Sequence, residues 1–199
     1  RWYVALTEEP RPFFHPLADV NGRPVQLFMP EGEEVARWAR LANELEVWLY
    51  NHPINAAREA AGQRSINGVW LWGAGPQDLR LRAPASQIQA DAPFACGLAR
   101  HAGITPRPAD HYIEGTGLAV IDTLQRPSLH VDAAAWLSAV AQLETDWFAP
   151  LLKALKAKQI TAIRISAPGD KHHLQLDVEA SSLWKFWRKP RPLAALLAT

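Results

Sequence analysis

Apolar residues recur at helical spacing early in the chain. Val35, Trp38, Ala42, Leu45 and Leu49 share one face of a helix predicted over 31–50. Pro30 precedes it, and Glu31, Glu33 and Glu34 place negative charge near its positive end. Asn51-His52-Pro53 stops the pattern. His52 precedes proline and is biased out of the α region. Pro53 suits the first position of a second short helix running to about Ala61, and Gly62 is a natural stop. Upstream, Pro10, Pro12, Pro16, Pro24 and Pro30 exclude a long helix, because each removes an N–H donor. Trp2–Leu6 remains as a short strand, and Asn21-Gly22 as a turn.

The pattern then changes. Val69 and Leu71 fall on one face of an extended segment, Trp70 and Trp72 on the other. Both faces are apolar, which predicts an interior strand within 65–75. Gly73-Ala74-Gly75 follows at its carboxyl end, the edge where open α/β sheets hold ligands. Residues 92–102 read as a helix ended by Gly103, Thr105–Pro108 as loop, and Leu118–Leu124 as a strand. Asp132 can cap a long helix carrying Trp136, Val140, Leu143 and Trp147, broken or kinked at Pro150 and resuming to about Lys158. Ile160–Ser166 reads as a strand with Ile160, Ala162 and Arg164 on one face. A turn at 167–170 then returns the chain as His173–Val178. Ser181 or Ser182 caps a last short helix through Trp187. Alternating helices and strands predict an α/β class, taken as a single domain over 1–199.

Composition narrows the function classes. A net charge of +1 provides no field for nucleic acid or acidic partners. No apolar run approaches the roughly 18 residues of a spanning helix, so no membrane partner is expected. A single cysteine, Cys96, excludes an internal disulfide framework and fits a reducing, cytoplasmic setting. It lies in an apolar stretch and reads as core. Nine tryptophans are more than an average chain carries. The chain opens on Arg1-Trp2-Tyr3-Val4, with neither an initiator Met nor a signal-like segment, so a processed start or a longer parent is expected.

The densest polar cluster is Asn43, Asn51, His52, Asn55, Arg58 and Asn67. Asn55 and Arg58 are three apart and share a helix face. Arg58 presents a fork suited to phosphate or carboxylate. With the helix start at Pro53 and backbone at Gly73 and Gly75, these groups form a candidate oxyanion pocket. The competing reading is structural: Asn51 caps the turn, His52 is exposed, and Arg58 pairs with a surface carboxylate. Gly73-Ala74-Gly75 matches neither a P-loop nor a dinucleotide fingerprint. His172 and His173 beside Asp170 point to opposite faces of a strand, against a shared metal ion. Aromatics and cations interleave from Trp184 to Arg191, which reads as a docked terminal helix rather than a single-stranded nucleic-acid platform.

His52-Pro53-Ile54-Asn55-Ala56-Ala57-Arg58-Glu59-Ala60-Ala61-Gly62, followed by Ile66-Asn67-Gly68-Val69-Trp70-Leu71-Trp72-Gly73-Ala74-Gly75, resembles the archaeal-type cofactor-independent phosphoglycerate mutases. That family carries an HPxNxxRxxxG segment and then an Asn-led strand ending in Gly-x-Gly. Glu114-Gly115-Thr116-Gly117, with Thr123 downstream, echoes its GATG…T stretch. The helix from Asp132 to Lys158 is similar to its long helix. The resemblance implies an alkaline-phosphatase-like sheet covered by helices, incomplete in this chain. It implies a two-metal site with a Ser nucleophile that passes a phosphoryl group between the hydroxyls of glycerate. On matching positions, His52, Asn55, Arg58, Asn67, Gly73 and Gly75 would hold a phosphorylated small acid.

The departures limit what is implied. Trp72 stands where the family carries Arg. The family's nucleophile lies before the HPxN segment, so the resemblance places Arg1 partway into the fold. Leu129-His130-Val131-Asp132-Ala133 runs straight into a helix where the family has a ligand loop, and Asp170-Lys171-His172-His173 breaks an Asp-His pair. No catalytic residue, metal ligand or cofactor is therefore expected within this chain. Two divalent metal ions are implied only if the family site is intact elsewhere. The leading expectation is a degenerate, regulatory or non-catalytic relative that binds a phosphorylated small molecule. The alternatives are the C-terminal part of an active phosphotransferase, and an interaction domain without a small ligand.

Overall fold

In a computed structural model, the described residues are 2–76, 78, 80–169 and 173–184. The fold is mixed α/β, and the chain divides into two compact units, Arg1–Leu79 and Arg80–Thr199.

The first unit is helical. A single turn, α1 (Leu17–Val20), leads through a turn at Asn21-Gly22 to a 3₁₀ segment at Val25–Phe28. Two helices then follow, α2 (Val35–Tyr50) and α3 (Pro53–Ala60). Trp2–Leu6 is not a strand. These residues make no ladder, and Trp2 and Tyr3 stand in solvent. α2 also starts later than its acidic lead predicts. Phe13 and Glu31 exchange backbone hydrogen bonds of 2.8 and 3.1 Å, which draws Glu31 into an antiparallel bridge. Glu34 then enters the helix in the left-handed region at φ 61°, and Glu33 pairs with Arg11 at 2.9 Å. Those carboxylates serve the incoming segment as well as the helix end.

α3 follows its sequence signals closely. His52 is extended, Pro53 occupies the first turn, and the exit is a Schellman motif. Gly62 N–H donates to Glu59 C=O at 2.9 Å, and Gln63 N–H donates to Arg58 C=O at 2.8 Å. Gly62 takes φ 69°, which a side chain would strain.

The segment 65–75 is a correction to the predicted interior strand. Val69–Trp72 is half-buried, yet among the described residues no strand pairs with it. Within it, Trp70 Nε1–H donates to the carbonyl of His15 at 2.9 Å.

The second unit holds both sheets. β1 (Ile88–Ala90) and β2 (Leu118–Val120) pair in parallel, with Ile88 opposite Leu118. Arg107 bridges the other edge of β1. α4 (Pro93–His101) covers this pair through Ala99, and half-buried Cys96 donates its S–H to Ala90 C=O at 3.1 Å. β2 ends earlier than predicted, because α5 (Gln125–Leu129) begins almost at once.

Asp132 caps α6 (Ala133–Leu143) by accepting from Ala135 N–H at 2.9 Å. Pro150 does not stop this helix. A π turn over Glu144–Phe148 widens the backbone ahead of it, and α7 (Ala149–Lys156) continues. Leu143 and Trp147 pack on Ala109, while Ala154 and Leu155 pack on Ile160.

β3 (Ala162–Pro168) and β4 (His173–Glu179) form the expected hairpin, with Ile165 opposite Leu176. The predicted face is corrected. Ile163 and Ile165 are the half-buried side, Ala162 and Arg164 face out, and Ile160 is buried before the strand begins. A 3₁₀ turn at Ala180–Trp184 follows. Asp170, Lys171, His172 and residues 185–191, with the rest of the predicted terminal helix, lie outside the described residues.

Candidate functional site

The candidate residues sit around α3. His52 is its cap: Nδ1 accepts from Ile54 N–H at 3.2 Å, so a neutral ring carries its proton on Nε2. The ring also lies 4.6 Å from that of Trp48, one turn back in the sequence. Trp48 escaped the sequence reading, although its four-residue spacing from His52 was the available signal.

Asn55 is buried at 6% exposure and saturated by backbone. Its Nδ2 donates to Leu49 C=O at 2.8 Å and to Ile66 C=O at 3.0 Å, while its Oδ1 accepts from Ile66 N–H at 2.8 Å. One amide therefore ties the end of α2, the start of α3 and the returning segment together. Burial is affordable because each polar atom has a partner.

Arg58 lies one turn further along α3 and is half-buried. Its Nε–H donates to Arg64 C=O at 2.9 Å, which fixes one edge of the guanidinium plane on the loop after α3. Among the described residues no carboxylate pairs with it. Neighbouring Glu59 instead accepts from the Ser65 hydroxyl. Asn67 follows the clipped Ile66 and is exposed. Gly73 and Gly75 are exposed, Gly73 at φ 72°, and among the described residues no hydrogen bond ties them to Asn55 or Arg58.

The structure thus gathers His52, Asn55 and Arg58 on one short helix, with Asn67 one residue past the clip. Asn51, by contrast, caps its own turn through Nδ2–H to Val47 C=O at 2.8 Å. Asn43, Asn51 and His52 also line an open groove with Arg40, Val47 and Trp48.

The chain resembles phosphoglycerate mutases in part. It is 31% identical over 61 residues to the 2,3-bisphosphoglycerate-independent phosphoglycerate mutase of Methanothrix thermoacetophila, covering 31% of this chain and 16% of that protein. It is 25% identical over 166 residues to the protein of the same description from Methanosarcina barkeri, covering 71% of this chain and 42% of that protein. The chain therefore spans less than half the length of these relatives. No protein-family model and no solved structure matches it.

The remaining candidates are dispersed. His173 Nε2 lies 2.7 Å from Ser166 Oγ on the exposed hairpin. His111 pairs with Asp110, and Glu114 accepts from Gln159. Among the described residues no three His, Cys, Asp or Glu side chains gather to hold a metal ion. Among them, too, no helix is long and apolar enough to cross a membrane.

Proposed function

We propose that this chain is a phosphoglycerate-mutase-like protein, related to the alkaline phosphatase superfamily, that binds a phosphorylated small acid around α3 in a regulatory or non-catalytic role. Arg58 is the anchor. With Nε committed to Arg64, the terminal nitrogens are left as a fork for phosphate or carboxylate oxygens. His52 supplies Nε2–H, Asn67 its amide, and Gly73 and Gly75 their backbone N–H groups. Asn55 is the positioning residue of the set, since its amide is spent on backbone.

The observation that carries this reading is the Asn55 clip. It fastens α3 to the segment leading into Asn67, the two stretches that carry the mutase-like pattern. These groups hold a ligand. Lone Cys96 suits a reducing, cytoplasmic setting.

A second reading is favoured by the 42% share of the longer-matching relative that the alignment spans. On it, the same residues hold substrate for a phosphotransferase whose nucleophile lies outside this sequence. Thermal unfolding with 3-phosphoglycerate, and with glycerate as control, tests the pocket. Selective stabilisation by the phosphorylated acid is expected by mass action. No stabilisation at millimolar ligand removes the pocket and favours an interaction domain. Turnover of phosphoglycerate by metal-loaded protein would move the assignment to the second reading.

A further inference from the structure

Trp48 is 57% exposed near the end of α2, so its ring does not serve the core. That ring lies 4.6 Å from the ring of His52, centroid to centroid, with the planes 51° apart. His52 is thereby held at its backbone, at one ring nitrogen and on its ring. The backbone is extended at φ −76° and ψ 132°, the conformation that a following proline favours. Nδ1 accepts from Ile54 N–H at 3.2 Å. The ring meets Trp48. The 2.8 Å bond from Asn55 Nδ2 to Leu49 C=O ties the residue after Trp48 to α3, which keeps the two rings in register.

An imidazole turns about its side-chain torsions. A hydrogen bond at Nδ1 fixes where that atom sits but leaves the rest of the ring free to swing about it. A second ring packed against the first removes that freedom. Nε2, on the far side of the imidazole, then points in one direction. Among the described residues no hydrogen bond or ion pair engages it.

We propose that Trp48 is a positioning residue of the α3 site. With the helix cap, it holds the neutral His52 ring so that Nε2–H is aimed at an oxygen of the phosphorylated acid. The inference rests on the reading of α3 as a ligand site, and it adds to that site a residue that itself donates nothing to the ligand. A donor already ordered loses less freedom on binding than one that swings, so the effect of Trp48 is on affinity.

Calorimetric titration of the full chain with 3-phosphoglycerate, run as a double-mutant cycle, tests this. Trp48→Ala should weaken binding about three- to tenfold, and Trp48→Phe should restore most of the loss. His52→Asn keeps an acceptor at the cap and removes the imidazole. In that background Trp48→Ala should change nothing further. A Trp48→Ala variant that binds like the wild type overturns the proposal. So does an equal loss in both backgrounds, because Trp48 would then act without His52. Side-chain couplings of His52, measured by NMR without ligand, should report one rotamer in the wild type and in Trp48→Phe, and averaged rotamers in Trp48→Ala. If the wild type does not respond to the acid, the ligand reading fails and takes the aim of Nε2–H with it. The couplings still decide whether Trp48 sets the ring: a single rotamer kept in Trp48→Ala shows that it does not.

Discussion

Asn55 and Ile66 exchange hydrogen bonds in both directions, at 3.0 Å from Nδ2 to the Ile66 carbonyl and 2.8 Å from the Ile66 N–H to Oδ1. The side-chain amide acts as the strand partner that 65–75 lacks. Asn55→Ala removes both bonds to the Ile66 backbone and one of those on the Leu49 carbonyl, which keeps the His52 N–H at 3.0 Å. It should cost about 1–3 kcal/mol in a denaturant titration. Asn55→Asp should cost at least as much near neutral pH, because a carboxylate would face the Leu49 and Ile66 carbonyl oxygens that Nδ2 now satisfies.

Val131 sits in the left-handed region at φ 53° while 89% exposed. It closes α5, with its N–H on Ser128 C=O and the Asp132 N–H on Pro127 C=O. A β-branched residue is strained there, and its exposed side chain contributes little packing. Val131→Gly should therefore raise stability by about 1 kcal/mol, read as a higher unfolding midpoint with unchanged denaturant slope.

Gly117 admits no side chain. A Cβ there would lie 2.7 Å from Gln87 C=O and 3.2 Å from Gln87 Cβ, beside the 2.9 Å bond from Leu118 N–H to that same carbonyl. Gly117→Ala must push β1 and β2 apart at the first rung. Equilibrium unfolding should register a loss of about 1–3 kcal/mol.

Asp177 lies opposite Arg164 on the hairpin. The hydrogen bond from Arg164, and then that from Gln175, holds its carboxyl below the usual carboxylate range. A lowered folded pKa means that the stabilisation is present above the unfolded value and is lost as pH falls through the folded one. NMR titration should place the Asp177 midpoint below that of an unfolded peptide. Asp177→Asn should remove this residue's part of the acid-side loss of hairpin stability.

Much of the helical framework was legible, because local chemistry decides it. The apolar spacing of Val35–Leu49 gave α2. Proline, glycine and a capping aspartate gave α3 and α6, and the alternation in His173–Val178 gave the hairpin. The strands were less so. Val69–Trp72 alternates like an interior strand, but alternation records burial and not whether a neighbour pairs. β1 is only three residues long, and its central Gln89 is polar. Gln89 is nonetheless buried, because its amide donates to the carbonyls of Pro108 and His111 at 3.0 and 2.8 Å. Nothing local announces such distant partners. Around α3, spacing gave the shared face of Asn55 and Arg58. It did not show that Asn55 would be spent on backbone or that Arg58 would lean on Arg64.

On the function proposed above, Arg58 and its neighbours receive a phosphorylated acid. Amide NMR during titration with 3-phosphoglycerate tests it most directly, because it reports where the ligand sits. Saturable shifts are expected in 52–58 and 67–75, lost in Arg58→Ala and absent with glycerate. Shifts confined to other residues, or a response that Arg58→Ala leaves intact, would contradict it.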